Sequence, residues 1–293
     1  MTETRDAMTR REFTALGVAA GISVAMGAAA GDPGDVIDMD VSVSTPSGTC
    51  DAALIHPRGD ARHPAVILFV DGLGLRPAMR DMAKRLAADG YTVLVPNPYY
   101  RTTKAPGVRP GFDFGNPEDR AQFEKLRAPM TSDAVMQDSV AYVAFLDAQP
   151  SVVEHAKIGV VGYCMGGAMT LQAAAANPSR IVAGASFHGG GLVTEKPDSP
   201  HLLAPRIKAQ FYIGIAANDD EKQPDAKIKL AEAFRAAHVA AKIEVYENTL
   251  HGWCVKDMPL QAGGPGEARP IYDEPQAERA WHELVTIFKR AHV

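Results

Sequence analysis

The chain contains 293 residues, of which 46% are hydrophobic, and its formal net charge at pH 7 is −5. This length and apolar fraction are sufficient for one large α/β core without further domains. The acidic balance and the lack of a basic stripe argue against binding to nucleic acid.

The N-terminus predicts an export signal. Arg10 and Arg11 form a twin-arginine pattern, and an Ala- and Gly-rich apolar run follows at 15–30. The run is short for a membrane span, and Ala28 and Ala30 suit the −3 and −1 positions of a cleavage site. We expect residues 1–30 to engage the twin-arginine export machinery and to be removed, which leaves one domain at 31–293 in the periplasm without stable membrane association. An uncleaved anchor is the alternative.

Strand-like and helix-like segments alternate through the rest of the chain. Strands at 36–43 and 50–56 flank a turn and are predicted to pair antiparallel. Strands follow at 65–70, 91–95, 157–161, 181–187, 209–215 and 242–246, and helices at 77–89, 133–148, 168–176, 225–237 and 275–290. This alternation predicts an α/β fold, a doubly wound and mainly parallel sheet with helices on both faces. The Gly- and Pro-rich segment 263–266 is expected on the surface, where it could act as a lid.

The most informative motif is Gly162-Tyr-Cys164-Met-Gly166, which lies between an apolar run and a helix-like segment. It matches the nucleophile elbow Gly-x-Ser-x-Gly with cysteine in place of serine. Glycines flank the nucleophile because a Cβ at either position would crowd the neighbouring strand and helix. The helix N-terminus favours thiolate over thiol and presents backbone N–H groups to whatever the sulfur attacks.

Two further residue types follow in the order that this architecture uses, which is nucleophile, acid and histidine. Asp219 and Asp220 come after the buried strand at 209–215, and His251 follows the strand at 242–246. Each residue alone has a structural interpretation, as a buried thiol, a helix cap or a structural histidine. Because all three residue types occur in the expected chain order, the sequence favours a triad of Cys164, Asp219 and His251. Asp220 is an alternative to Asp219, because only one of two adjacent residues will face inward.

These residues resemble the dienelactone hydrolases, or carboxymethylenebutenolidases, which use a Cys-His-Asp triad on an α/β-hydrolase fold. The resemblance covers about residues 50–290 and is most specific at 162–167, with supporting matches at 70–74 and 96–101. It implies an α/β-hydrolase fold and an enzyme of the carboxylic ester hydrolase class (EC 3.1.1) that acts on a small-molecule ester or lactone without a cofactor.

The resemblance also implies a role for each triad residue. Cys164 would attack an ester or lactone carbonyl, and His251 would hold or relay the proton. Asp219 would orient the histidine and stabilise its charged form. A thioester acyl-enzyme would form, and water would then hydrolyse it.

Gly72 and Asp71, near the start of the domain, complete the expected site. The oxyanion would lie between the backbone N–H groups of Met165 and Gly72. In the family, an acidic residue at the position of Asp71 pairs with the resting thiol. The alternative is that Asp71 is a turn residue that accepts nearby backbone N–H groups.

The expected substrate contacts depart from the family pattern. Dienelactone hydrolases have an arginine four residues after the catalytic histidine, where this chain has Val255 followed by Lys256. A lysine is a point charge and cannot reproduce the bidentate fork of an arginine. Four other residues are candidates for substrate binding, with core packing or a solvated helix face as the alternative: Tyr99, His188, Trp253 and Arg120.

Other functions stay open at this point. A redox protein could use the same ionised thiol of Cys164, although the chain has no Cys-x-x-Cys pair. A non-catalytic binding module would fit the altered position 255. His251 and Cys254 could form half of a zinc site, but no second pair with zinc-like spacing accompanies them, so no metal is predicted. Cys50 and Cys254 could pair only if the fold brings their Cα atoms within about 7 Å.

Overall fold

The computed structural model describes residues 35–258 and 270–293. The predicted export signal and the Gly- and Pro-rich segment 263–266 lie outside these residues. In the two described stretches, no helix combines the length and the apolar character that a membrane crossing requires.

Within the described residues, eight strands form one sheet, and each coincides with a strand that the sequence predicts. They are β1 (Val36–Thr45), β2 (Gly48–Pro57), β3 (Ala65–Phe69), β4 (Thr92–Pro96), β5 (Ile158–Tyr163), β6 (Ile181–Phe187), β7 (Gln210–Ala216) and β8 (Ala241–Tyr246). Their spatial order is β1-β2-β4-β3-β5-β6-β7-β8. β2 is antiparallel to both of its neighbours, and every other adjacent pair is parallel. The prediction of a doubly wound, mainly parallel sheet is confirmed.

The central strands are almost entirely apolar, and helices cover both faces of the sheet. Every residue of β3, β4 and β5 is buried, as expected for parallel strands between two helical layers. The helices are α1 (Pro77–Ala88), α2 (Pro117–Arg127), α3 (Ser132–Asp147), α4 (Gly166–Ala176), α5 (Ala217–Lys222), α6 (Ala226–Ala236) and α7 (Glu274–Arg290). α1 and α7 pack on one face, and α3, α4 and α6 pack on the other.

The two cysteines whose pairing the sequence leaves open belong to different layers of the core. Cys50 packs in the layer that contains α3 and α4, whereas Cys254 packs in the layer that contains α1 and α7. All three cysteines are free. Burial raises the pKa of Cys50 to about 12 and raises the pKa of Cys254 well above its ordinary value. Both are therefore protonated core residues at neutral pH.

The direction of the strands determines where the candidate residues meet. β3, β5, β7 and β8 are parallel, so the loops that follow them emerge at the same edge of the sheet. These loops carry the turn at 71–74, the elbow at 164, the acid at 219 and the histidine at 251.

Candidate active site

Cys164 occupies the turn between β5 and α4. Its φ of 53° lies in the left-handed region, which costs energy for a residue with a side chain and is maintained only by a constrained turn. A Cβ at Gly162 would lie 2.1 Å from the carbonyl oxygen of Gly166, and a Cβ at Gly166 would lie 2.3 Å from that of Phe69. The side chain of Cys164 is partly exposed, so the turn presents the thiol to solvent.

Hydrogen bonds on both sides hold the backbone of this strained residue. The Cys164 N–H donates to the carbonyl oxygen of Phe187 at 3.2 Å and to Nδ1 of His188 at 3.1 Å. Its own carbonyl oxygen accepts the N–H groups of Gly167 and Gly190, each at 3.0 Å. The sulfur is therefore held in place by the ends of β5 and β6 and by the first turn of α4.

His251 and Asp219 meet at the same edge of the sheet. Nδ1 of His251 lies 2.6 Å from Oδ2 of Asp219, which is in α5 directly after β7. The neighbouring Asp220 forms an ion pair with Lys227 instead. The side-chain oxygen of Asn218 accepts the backbone N–H of His251 at 2.9 Å. Of the two adjacent carboxylates, Asp219 is therefore the one that can orient the imidazole.

The charge of the histidine is coupled to the candidate nucleophile as well as to the carboxylate. Burial alone lowers the pKa of His251, but hydrogen bonds to Asp219 and Cys164, with the negative charges of these two groups, outweigh burial and raise the pKa to about 10. His251 therefore holds a proton at neutral pH. A thiol, an imidazole and a carboxylate in this sequence can pass a proton between the sulfur and a reacting group.

Two loops offer backbone donors beside the thiol. The hydroxyl of Tyr99 donates to the carbonyl oxygen of Gly72 at 2.8 Å and lies 3.6 Å from Sδ of Met165. The N–H of Leu73 is already used, because it donates to Oδ1 of Asp71 at 2.9 Å. Within the described part of the chain, the N–H groups of Gly72 and Met165 donate to no protein acceptor. These two N–H groups thus remain the candidate oxyanion donors.

Asp71 is engaged by an arginine that the sequence does not single out. Nη1 and Nη2 of Arg76 lie 2.6 Å and 2.9 Å from the two carboxylate oxygens of Asp71, whose side chain is 1% exposed. Arg76 also binds Asp257 at 2.7 Å and 2.8 Å. The contact expected of Asp71 as a turn residue is the N–H of Leu73, which Oδ1 accepts. In residues 35–258 and 270–293, no hydrogen bond joins Asp71 to Cys164.

Three of the predicted substrate contacts lie inside the core. His188 is fully buried, and its Nδ1 accepts the N–H of Cys164. Trp253 is fully buried and stacks on Tyr246 with the ring centroids 4.7 Å apart. Tyr99 is fully buried as well. All three rings match the core-packing alternative, because aromatic rings around the elbow fill the layer beneath it.

The residues considered for binding a substrate anion do not form a cationic site. Arg120 is exposed on α2, where Nη2 lies 3.4 Å from the carbonyl oxygen of Gly115, which corresponds to the solvated helix face. Val255 is fully buried. The ammonium of Lys256 lies 6.0 Å from the centre of the Tyr272 ring. Neither Val255 nor Lys256 thus restores the fork of the family arginine.

Sequence reasoning misses several residues that shape this site. Asn218 directly precedes the triad acid, and Arg76 directly precedes the proline that opens α1, so both lay next to recognised motifs. Phe112, Phe114 and Phe123 form an edge-to-face cluster next to the predicted oxyanion donor. These phenylalanines lie in a loop and on α2, where no periodic pattern marks them.

Two large cavities lie away from the candidate triad. One of about 460 Å³ is between α1 and α7, and a groove of about 630 Å³ lies beside β1 and β2. Neither is lined by a triad residue. Among the residues that the structure describes, no group of three or more His, Cys, Asp and Glu side chains is placed to hold a metal ion.

The comparison with protein families gives one match, which covers most of the chain. A model described as "Dienelactone hydrolase family" matches residues 50–292. This range includes β2 to α7, and therefore all of the loops that carry the candidate site.

Individual relatives agree with this match. The carboxymethylenebutenolidase of Pseudomonas putida is 26% identical over 214 residues, which is 73% of this chain and 84% of the relative. The structure of a "Putative Dienelactone Hydrolase" from Klebsiella pneumoniae is 22% identical and aligns with a TM-score of 0.73, over 87% of this chain and 98% of the other. A dienelactone hydrolase-like promiscuous phosphotriesterase from metagenomic libraries is 21% identical with a TM-score of 0.69, over 88% and 99%. These structures confirm the α/β-hydrolase fold.

Proposed function

The chain belongs to the dienelactone hydrolase family, and we propose that it hydrolyses a carboxylic ester or lactone through a triad of Cys164, His251 and Asp219. The observation that carries the proposal is the 2.6 Å contact between His251 and Asp219 beside a cysteine held at a strained strand-to-helix turn. The name of the Pseudomonas putida relative, a carboxymethylenebutenolidase, supports a lactone or ester as the substrate class.

The first half of the reaction forms the acyl-enzyme. In this step Cys164 reacts as the thiolate, and His251 holds the proton. The sulfur attacks the carbonyl carbon, a C–S bond forms, and the carbonyl π electrons move to oxygen. That oxyanion accepts the N–H groups of Gly72 and Met165. Each donor of this kind is typically worth about 3 kcal/mol of barrier.

Collapse of the tetrahedral intermediate releases the alcohol. The C=O bond re-forms, the ester C–O bond breaks, and the leaving oxygen takes the proton from Nε2 of His251. Asp219 holds Nδ1 throughout, so that the imidazole keeps the tautomer and orientation that this transfer needs. The product of this half is a thioester on Cys164.

The second half reverses these roles with water as the nucleophile. His251, now neutral, accepts a proton from water while the water oxygen attacks the thioester carbon. The second tetrahedral intermediate expels the thiolate and leaves a carboxylic acid. The proton on His251 and the charge on sulfur restore the resting pair.

The test is ester hydrolysis by the full chain and by a matched pair of cysteine variants. Cys164→Ala should abolish turnover of p-nitrophenyl acetate and of simple lactones, whereas Cys50→Ser, which alters a buried thiol on β2, should retain it. Mass spectrometry of the quenched reaction should detect an acyl group on the peptide that contains Cys164. Equal turnover in Cys164→Ala and the unsubstituted protein would overturn the proposal.

We also propose export through the twin-arginine pathway, on the basis of the pattern at 10–11 and the apolar run at 15–30. The mature chain would begin near Gly31 and reside in the periplasm. Cell fractionation should find the protein in the periplasm, and the double variant Arg10→Lys, Arg11→Lys should remain uncleaved in the cytoplasm. Periplasmic protein in that variant would contradict the assignment.

A further inference from the structure

Three phenylalanines form a wall immediately beside the Gly72 oxyanion donor. A Cβ built at Gly72 would lie 3.0 Å from Cζ of Phe114 and 3.1 Å from Cε2 of Phe123. The ring centroids of Phe112 and Phe114 are 4.9 Å apart and those of Phe114 and Phe123 are 5.2 Å apart, both in edge-to-face geometry. The rings therefore form one continuous aromatic surface against the loop that would bind the substrate carbonyl.

This wall continues toward the nucleophile through other apolar groups. Leu73, Met165, Phe112 and Phe123 pack against the small core cluster that contains Tyr99. Phe114 differs from its neighbours in being 45% exposed. An exposed aromatic ring at the edge of an active site is a surface that a ligand can remove from water.

Two arginines lie near this wall, and each already has a carboxylate partner. Arg109 holds Asp119 through two bonds of 2.8 Å and 2.7 Å. Arg127 lies 5.9 Å from the centre of the Phe123 ring and forms an exposed ion pair with Glu124 at 3.5 Å. A substrate carboxylate at the wall would have to compete with these partners or lose its hydration against phenyl rings.

We propose that Phe112, Phe114 and Phe123 bind an uncharged aromatic group of the ester, so that the enzyme prefers neutral aryl-bearing esters over esters that carry a carboxylate. The inference rests on the proposed hydrolase function and names its substrate class. The phenyl group packs on the exposed ring of Phe114 while the ester carbonyl faces Gly72 and Met165. An aromatic group on either side of the ester is compatible with this geometry.

The kinetic test compares matched esters that differ in one group. Methyl acetate is the reference, methyl phenylacetate and benzyl acetate carry the phenyl group on the acyl or the alcohol side, and methyl (4-carboxyphenyl)acetate adds a charge. At least one neutral aryl ester should exceed methyl acetate in kcat/KM by roughly tenfold or more, and the carboxylate should reverse that gain. Phe114→Ala should lower the ratio of aryl to methyl kcat/KM, mainly through KM, and Phe114→Leu should lower it less.

Two control variants test whether the aryl preference comes from the phenylalanine wall, from any exposed hydrophobic side chain, or from a nearby cation. Ile228→Ala removes another exposed hydrophobic side chain, 53% exposed on α6, and should leave the aryl-to-methyl ratio unchanged. Arg127→Gln removes the cation beside Phe123. A preference for the carboxylate ester that disappears in Arg127→Gln would overturn the inference in favour of an anion site.

A binding measurement separates the inference from the proposed function. In Cys164→Ala, calorimetry should detect methyl phenylacetate binding that is at least roughly tenfold tighter than that of methyl acetate and that weakens when Phe114→Ala is added. Cys164-dependent turnover without any aryl preference would overturn the inference and leave the hydrolase proposal intact. Aryl binding that depends on Phe114, in a protein that turns over no ester, would support the aromatic site and overturn the proposed function.

Discussion

Arg76 joins two loops of the candidate site, and its replacement by leucine is expected to destabilise the protein substantially. The substitution leaves the carboxylate of Asp71, which is 1% exposed, without its partner. Removing one member of a buried ion pair typically costs about 3–5 kcal/mol. The contact with Asp257 adds little, because that side chain is 42% exposed and exposed pairs contribute about 0–1 kcal/mol. We expect the free energy of unfolding to fall by about 3–5 kcal/mol.

Urea denaturation followed by circular dichroism measures this change and its origin. The double variant Arg76→Leu, Asp71→Asn removes the buried charge along with its partner. Its loss of unfolding free energy should therefore be smaller than the sum of the losses in the two single variants. A coupling energy of about 2 kcal/mol is expected for two residues in direct contact. Asp71 adjoins Gly72, and Asp257 lies in the loop that carries His251. Arg76→Leu should therefore also lower kcat by a larger factor than the factor by which it raises KM.

A second arginine provides the matched control. Arg85 forms a bidentate pair with Glu278 at 2.7 Å and 2.6 Å, but the two side chains are 43% and 49% exposed. It also stacks on Trp281 at 4.1 Å. Arg85→Leu should therefore cost only about 1 kcal/mol. The reasoning is refuted if Arg76→Leu costs no more than Arg85→Leu, or if its effect adds simply to that of Asp71→Asn.

Three other substitutions or conditions test the site directly. Asp219→Asn should lower kcat by about 10⁴-fold through loss of the histidine tautomer, whereas Asp220→Asn should affect stability more than rate; equal kinetic losses in the two would contradict the assignment. The pKa of His251 is raised from 6.5 to about 10, so the protonated imidazole stabilises the folded protein fully below pH 6.5 and this stabilisation is lost as the pH rises through 10. The free energy of unfolding, relative to that of His251→Gln, should therefore fall by up to about 1.4 kcal/mol per pH unit between these values. Denaturation curves that show a rise would be inconsistent with a Cys164–His251 pair. Gly162→Ala should cost at least about 2 kcal/mol or prevent folding, because its Cβ would lie 2.1 Å from a backbone oxygen; a soluble variant with unchanged stability would be the contrary result.

The sheet and the elbow were accessible from the sequence because both leave strong local patterns. β3, β4 and β5 are continuous apolar runs that helices bury on both faces, and such runs alternate with helical segments in any doubly wound fold. The elbow needs glycine at 162 and 166 for steric reasons. In both cases consecutive residues carry the pattern, although the steric limit at Gly166 comes from Phe69 on a neighbouring strand.

The partners of individual polar groups were not accessible, because they depend on tertiary contacts. Asp219 and Asp220 are adjacent on the short helix α5, and only its orientation after β7 decides which carboxylate meets His251. His188 follows β6 like a loop residue, yet its ring is buried and accepts the N–H of Cys164. The partner of Asp71 is an arginine five residues later, which a turn and the start of α1 bring back onto it.

The charged groups around Cys164 indicate which residue holds the thiol proton in the proposed mechanism. Arg76 occupies both oxygens of Asp71. The pKa of about 10 for His251 places the proton on the imidazole at neutral pH, where Asp219 and Cys164 balance its charge. An imidazolium beside a sulfur at a helix N-terminus stabilises the thiolate without a further acidic residue. The double variant Arg76→Leu, Asp71→Asn should therefore retain ester turnover that depends on Cys164, whereas a mechanism in which Asp71 ionises the thiol requires that turnover to be lost.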